Sequence, residues 1–478
     1  MAHLFLTRFR SLPFYLVAVL LHLLFLLIFG TYEMSSGGAA VITQFVAPGS
    51  KTEVDNRPPP PPPPSTDRKE QDLVKKDAKQ TSTPRPTMIT TPLPNATVVI
   101  ATVPTPTPQL KMGDLNKLSN VKVSAIYNNR LSNSARSSAI GKYGGAGTGM
   151  VDKVEGGVQR ALLWLKEHQN SDGSWGGTYR PSMTGLALLT FLAHGDTQAS
   201  QQFGETVQKG VQYLMDLGRK NNGRLGSQHV EYQHPIATYA LAEDYALTQI
   251  SDLLTVLEGA VTHIVKSQCE NGSWNYGYNT KPGPDPAKRP FGDLSISGWN
   301  IQALKAAHNA GVKVQGLDAS MQKALGFTRA VYDEKSHKFG YASKGGGSPA
   351  LVGVGVLCMQ FLGAGDAKEA RGGQSSARDF KCNWEKGSEA SSYMWYYVTQ
   401  AMFQAGGSYW IGWNREFRDE IIKRQKPDGH WPVPGGDTDA PRGDGWKQVT
   451  DPKDCPVYHT SLLCMMLEVY YRFLPTFK

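Results

Sequence analysis

Residues 161–175 read ALLWLKEHQNSDGSW, residues 260–274 read AVTHIVKSQCENGSW, and residues 417–431 read FRDEIIKRQKPDGHW. In each, a helical stretch runs into a Gln, a Gly follows four residues later, and after one more residue comes Trp. Gln169, Gln268 and Gln425 therefore lie six residues before Trp175, Trp274 and Trp431. Gly173, Gly272 and Gly429 each follow an Asp or Asn, the usual chemistry of a turn that needs positive φ, so they stop the helix. The Trp is placed to fold back over the helix end.

Around these turns the chain alternates two kinds of helix. Before the first turn, Val154, Val158, Ala161, Leu162 and Leu165 recur at helical spacing with polar residues between them. After it, GLALLTFLA (185–193) is apolar all round, as is VGVGVLCMQFL (352–362). An amphipathic helix belongs to an outer layer and an all-apolar one to an inner layer. Outer helices are expected near 153–168, 203–218, 251–267, 318–332, 366–378 and 411–425. Inner helices are expected near 182–194, 235–248, 294–310, 349–363, 389–405 and 456–474. About six outer/inner pairs make an all-α fold, either an α/α toroid of two concentric layers or an open superhelix of stacked pairs.

Working outward, the chain has 478 residues and a net charge of +9. Its first 150 residues carry 16 Lys/Arg against 8 Asp/Glu, the rest 34 against 33, so the excess charge belongs to the N-terminal arm. A nearly neutral folded part excludes a nucleic-acid-binding domain. Residues 12–30, LPFYLVAVLLHLLFLLIFG, contain no Asp, Glu, Lys or Arg. At 1.5 Å per residue they would span about 28 Å, enough for a bilayer core. Arg8 and Arg10 precede them and no basic residue follows until Lys51, so the positive-inside rule puts residues 1–11 in the cytoplasm and the rest outside. A cleaved signal peptide, with GGAAV (37–41) as its small-residue site, is the rival; the apolar run exceeds the usual 7–15 residues of a signal core. Residues 31–110 are Pro- and Thr-rich and expected to be a disordered, extended spacer. Residues 111–150 read as a connector and 151–478 as the toroid.

The repeats resemble those of squalene and hopene cyclases and of protein prenyltransferase β subunits. The nearest likeness is to bacterial membrane-anchored prenyltransferase and squalene oxidase repeat proteins, carried by residues 142–175, 235–248, 393–414 and 461–475. That resemblance implies an α/α toroid in the periplasm, anchored by residues 12–30 in a bacterial inner membrane. The N-terminal arm is weakly similar to TonB-type energy transducers, whose spanning helix carries a Ser-x-x-x-His pair; here the pair is Ala18-x-x-x-His22.

The chemistry these families use is only partly present. There is no Asp-Asp dipeptide, so neither the Asp-x-Asp-Asp of protonating cyclases nor the Asp-Asp-x-x-Asp that holds magnesium diphosphate occurs. The zinc site of protein prenyltransferases would correspond to Glu389-Ala390-Ser391 and Tyr458-His459-Thr460, with a hydroxyl where the thiolate should be, so no metal and no other cofactor is expected. Glu389 and His459 remain, either as a hydrogen-bonded pair between neighbouring inner helices or as an acid/base pair. Glu243 and Asp244 interrupt an apolar inner helix, where a carboxylate must be paired or wet. Glu389, His459 and Glu243 are thus the candidate acid/base groups, and Trp299, Tyr393, Trp395, Tyr458 and Asp244 the candidate lining of a cavity. Cys382 and Cys455 lie ahead of the fifth and sixth inner helices and are expected to form a disulfide in an oxidising compartment. The expected function is a binding or scaffolding module for an apolar small molecule, a peptide or a protein partner. The alternatives are an enzyme acting on an isoprenoid or glycan, and a transducer working through His22.

Overall fold

The computed structural model describes residues 125–145, 149–280, 291–385, 390–435 and 451–472. The segment 12–30, the spacer 31–110 and Glu389 lie outside the described residues, among which no helix is long and apolar enough to cross a membrane.

The outer helices are α2 (Met150–Glu167), α4 (Gly204–Lys220), α6 (Ser251–Lys266), α8 (Leu317–Ala330), α10 (Lys368–Ser376) and α12 (Gly407–Arg424). The inner helices are α3 (Arg180–His194), α5 (Val230–Thr248), α7 (Leu294–Asn309), α9 (Pro349–Phe361), α11 (Ser392–Ala405) and α13 (Asp454–Leu467), the last extended by the short α14 (Val469–Arg472). Burial follows the sequence pattern. On α2 one stripe, Val154, Val158, Ala161, Leu162 and Leu165, is buried, whereas every residue of α3 from Ser182 to His194 is. The expected helices are all present, with ends shifted by a few residues.

Each inner helix packs on the next, α3 on α5, then α7, α9, α11 and α13, and α13 returns to pack on α3. The ring is closed, so the structure is a toroid and not an open superhelix. Close approach within the ring uses small residues: a Cβ at Gly185 of α3 would meet the α5 backbone at Ile236 and Ala237.

Four bonds explain why Gln and Trp recur. The Gln169 amide donates to Gly173 O inside its own turn and to Thr206 O on the following outer helix, both at 2.9 Å. Trp175 Nε1 caps its own outer helix at Leu165 O (2.6 Å), and its backbone N–H donates to Thr184 Oγ1 on the following inner helix (3.0 Å). Gln268 and Trp274 repeat the set with Gly272, Ser320, Ile264 and Ser297. Gln425 and Trp431 repeat it with Gly429, Ile421 and Thr460, and there the next outer helix is the first one: Gln425 donates to Gly157 O of α2 at 2.8 Å. Gly429, at φ +107°, lies so close to Arg160 O that no side chain would fit. Asp454 strengthens the same seam by accepting from the backbone N–H groups of Gly177, Thr178 and Tyr179 at the head of α3.

The other three turns keep the places and change the residues. After α4, Gly223 holds the glycine place and Leu225 the Trp place. Here His234 of α5 accepts from Leu225 N through Nδ1 (2.9 Å) and donates through Nε2 to Ala260 O on α6 (2.9 Å), replacing both the hydroxyl and the missing Gln. After α8, a hairpin of β1 (Tyr332–Asp333) and β2 (Lys338–Phe339) puts His337 at φ +56° and buried Phe339 in the two places. After α10 the places fall to Cys382 and buried Trp384.

The structure does not join Cys382 and Cys455 in the expected disulfide, and both are buried. Cys382 occupies a turn place that faces the next outer helix, where Glu420 and Glu416 of α12 add to burial in pushing its thiol well above the usual range. Cys455 sits on inner helix α13.

Residues 125–143, assigned to a connector by composition, are part of the barrel. A 3-10 turn (Ala125–Arg130) and helix α1 (Asn133–Tyr143) pack on α14 at the end where the inner helices finish.

Candidate functional site

The barrel has two ends of different chemistry. At the closed end the inner helices terminate and Arg130 is inserted among them. Its Nη1 pairs with Glu243 Oε2 at 2.6 Å, and its Nε donates to Arg472 O at 2.8 Å. Arg472 Nη2 lies 3.8 Å from the other Glu243 oxygen and donates to Tyr239 OH at 3.0 Å. Burial alone would raise the Glu243 carboxyl; the two guanidinium groups outweigh it and hold the carboxyl below its usual range. Glu243 is therefore an ionised counter-ion sealed between two arginines. Asp244, one residue on, points elsewhere: its Oδ2 accepts from Gln198 at 2.7 Å, and burial pushes its pKa up to about 7.

Midway along the barrel, the aromatic candidates pack against one another. Trp299 stacks on Tyr396 with ring centroids 5.7 Å apart and meets Tyr397 edge-on, which in turn meets Tyr393 at 5.0 Å. Gln302 ties the group together, donating to Tyr397 OH (3.0 Å) and accepting from Tyr396 OH (3.3 Å). Trp395 lies against Trp384, and Tyr458 against His459. Rings lining a chamber wide enough for an isoprenoid would have bare faces, yet Trp299, Tyr393, Trp395 and Tyr458 are 2, 6, 0 and 1% exposed. Trp299, Tyr393 and Tyr458 are packed among the inner helices, whereas Trp395 meets Trp384 of the fifth turn. His459 joins them: its Nδ1 meets Ser392 Oγ of α11 at 2.9 Å, and burial pushes its pKa down to about 3, so it is neutral. Its partner is the hydroxyl next to Ser391. Among the described residues no three His, Cys, Asp or Glu side chains come together as a metal site.

The opposite end, where the inner helices begin, holds polar groups and exposed rings that no repeat marks. Asp293 caps α7, accepting from Ile296 N at 3.0 Å, and burial pushes its carboxyl up to about 6. Glu231, in the first turn of α5, accepts from Gly277 N at 3.0 Å and faces His229 Nδ1 at 3.3 Å. Above them stand Tyr276, Phe291 and Tyr341, exposed by 50, 63 and 44%, with the two tyrosine hydroxyls 3.0 Å apart. Two signals in the sequence mark this place: Asp293 directly before an apolar helix is an N-cap pattern, and aromatic residues recur in the loops before the third and fourth inner helices. The arrangement can offer flat apolar faces and phenol hydroxyls to a ligand from solution, while Asp293 and Glu231 beneath are 3 and 1% exposed and serve the backbone.

No family model matches the chain, and no curated protein matches it. Among solved structures it is similar to the type II terpene cyclase MstE from Scytonema, at 12% identity over 66% of this chain and 98% of that one, TM-score 0.45. It is similar to the GH76A alpha-1,6-mannanase from Salegentibacter sp. HEL1_6, at 12% identity over 66% and 98%, TM-score 0.47. A third likeness is to cellobiose 2-epimerase from Spirochaeta thermophila DSM 6192, at 13% identity over 64% and 92%, TM-score 0.47. These are likenesses of helical α/α-toroid architecture, and no chemistry passes from them to this chain.

Proposed function

We propose that this chain is a membrane-anchored binding module. Residues 12–30 hold it in a bacterial inner membrane, residues 31–110 space it away, and a periplasmic toroid presents the end where its inner helices begin to an apolar small molecule, a peptide or a protein partner. One observation carries this: the polar groups inside the barrel are used on each other, while three large exposed rings gather around Asp293 at that end. A side chain already paired and sealed from water has no geometry left for a substrate. Exposed aromatic rings gathered at one end are a surface, and surfaces of that kind bind.

The test is native mass spectrometry of the full chain in detergent, with farnesyl diphosphate and squalene as probes, on two variants. Tyr276→Ala with Tyr341→Ala should leave the fold intact and change what that end retains. An isoprenoid retained by the wild type, lost in Trp299→Ala and indifferent to the tyrosine pair would sink the proposal and restore an interior chamber.

A further inference from the structure

We propose that His194 is a clasp that fastens residues 125–143 to the barrel, closed while its ring is charged and released when the ring is neutral, so that rising pH loosens this segment. His194 is the last residue of inner helix α3 and is buried. Its Nδ1 lies 2.7 Å from Asp196 Oδ2 in the following loop, and its Nε2 lies 3.5 Å from Glu155 Oε2 on outer helix α2. The other Glu155 oxygen is 3.5 Å from Arg136 Nε of α1. Arg136 Nη1 in turn donates to His194 O at 3.0 Å and to Arg130 O at 2.9 Å. Ring, carboxylates and guanidinium thus close a circuit that joins α1, α2 and α3.

The circuit is complete only with a charged ring. An imidazolium donates from both nitrogens and serves both carboxylates, whereas a neutral imidazole has one N–H and turns a lone pair outward on the other side. With the proton on the Asp196 side, Glu155 faces that lone pair and keeps only Arg136. Burial by itself would lower the pKa of the ring; Asp196 and Glu155 outweigh it, against Arg136, and hold it above the ordinary value. His234 and His459, bonded to backbone and hydroxyl groups instead, are pushed the other way by burial, to about 3.

The other ionisable groups on the elements packed around α3 are engaged or uncharged. On α5, Glu243 is held by Arg130 and Asp244 by Gln198. On α4, Glu205 and Lys209 pair with each other in solvent. Where α13 meets α14, burial keeps Cys464, Glu468 and Tyr471 uncharged, and each feels the Glu155 charge; Arg472 donates to Tyr239. A ring with a raised folded pKa fastens fully below about pH 6.5, its unfolded value, and lets go as pH rises through the higher folded one. The segment it releases carries Arg130, whose guanidinium seals Glu243.

The experiment is hydrogen exchange of the full chain in detergent, read by mass spectrometry from about pH 6 to about pH 9 and divided by the intrinsic exchange rate at each pH. Protection of the α1 peptide, residues 133–143, should fall above about pH 6.5 by up to tenfold per unit and then level off, while that of α8, residues 317–330, stays flat. His194→Gln keeps a donor without a charge and should give a flat α1 profile at the alkaline level of the wild type. Glu155→Gln should shrink the step and bring it to lower pH. A flat wild-type profile overturns the proposal, and so does a step that survives in His194→Gln, which would belong to another group such as Asp244. Should His194→Gln fail to fold, an unchanged step in Glu155→Gln overturns it alone.

Discussion

Whether the toroid is closed in solution can be read from one glutamine. Gln425 belongs to the last helix pair, yet its amide donates to Gly157 O of the first outer helix and to Gly429 O of its own turn, both at 2.8 Å, while its oxygen accepts from Arg160 at 2.6 Å. Gln268 makes the same two donations, at 2.9 Å, within the middle of the ring. Changing either to Met keeps the stem and leaves two carbonyls without a donor, at about 1 kcal/mol net each. The exposed Arg160 contact adds about 0.5 kcal/mol. Gln268→Met should then cost about 2 kcal/mol and Gln425→Met slightly more, a factor of about 30 in the folded population. In an open superhelix Gln425 would have no neighbour beyond its own turn, and its cost would be half or less. Urea titrations of the full chain followed by tryptophan fluorescence, with equal slopes, give the comparison directly. A Gln425→Met midpoint indistinguishable from wild type beside a clear shift for Gln268→Met would refute the closed ring.

Three further outcomes follow from the buried charges and thiols. Arg130→Met should destabilise by about 3–5 kcal/mol by stranding Glu243, and adding Glu243→Gln should recover part of it in the same urea assay. Asp244 holds its proton to about pH 7 when folded and to about pH 4 when unfolded, so the folded state binds more protons in that window and stability falls as pH rises through it. Asp244→Asn should therefore match wild type at pH 4 and exceed it at pH 8, by up to ~4 kcal/mol; equal melting at pH 8 would dismiss the buried acid. Denatured, unreduced protein should titrate as five thiols, and a count of three would return the Cys382–Cys455 bond.

The architecture was legible because burial and turn chemistry write themselves locally. A helix apolar all round has to be inside, and Asp-Gly after Gln has to turn, so the helix pairs could be placed from residues alone. Closure was not legible. It depends on Gln425 meeting Gly157, two residues 268 apart whose approach no local pattern records. The surroundings of the candidate side chains were illegible for a related reason. A carboxylate or ring on an inner helix can face a chamber or a neighbour, and a ring of only six helices leaves an axis that aromatic side chains can fill. What fills it was decided by packing across the barrel, where Gln302 of α7 finds Tyr396 and Tyr397 of α11. Arg130 was missed because it lies in a stretch with no repeat to mark it.

The degenerate turns show what the repeat preserves. A search for Gln and Trp finds three copies, although all six turns dock on the next outer helix. What recurs is a set of jobs: a residue able to adopt or replace positive φ, a large side chain over the helix end, and a polar group that reaches across. His234 does two of these jobs from the neighbouring helix, and His337 supplies positive φ without being glycine. Its role also fixes its chemistry. Because Nδ1 accepts from Leu225 N, the proton of His234 must sit on Nε2 to serve Ala260 O, and burial keeps the ring neutral with a pKa near 3. The second turn is thus built on a group that an unfolded chain would protonate below about pH 6.5, and His459 between α11 and α13 is in the same position. Acid should therefore loosen this barrel first at the α5 turn and at the head of α13, the places where histidine stands in for, or leans on, a hydroxyl.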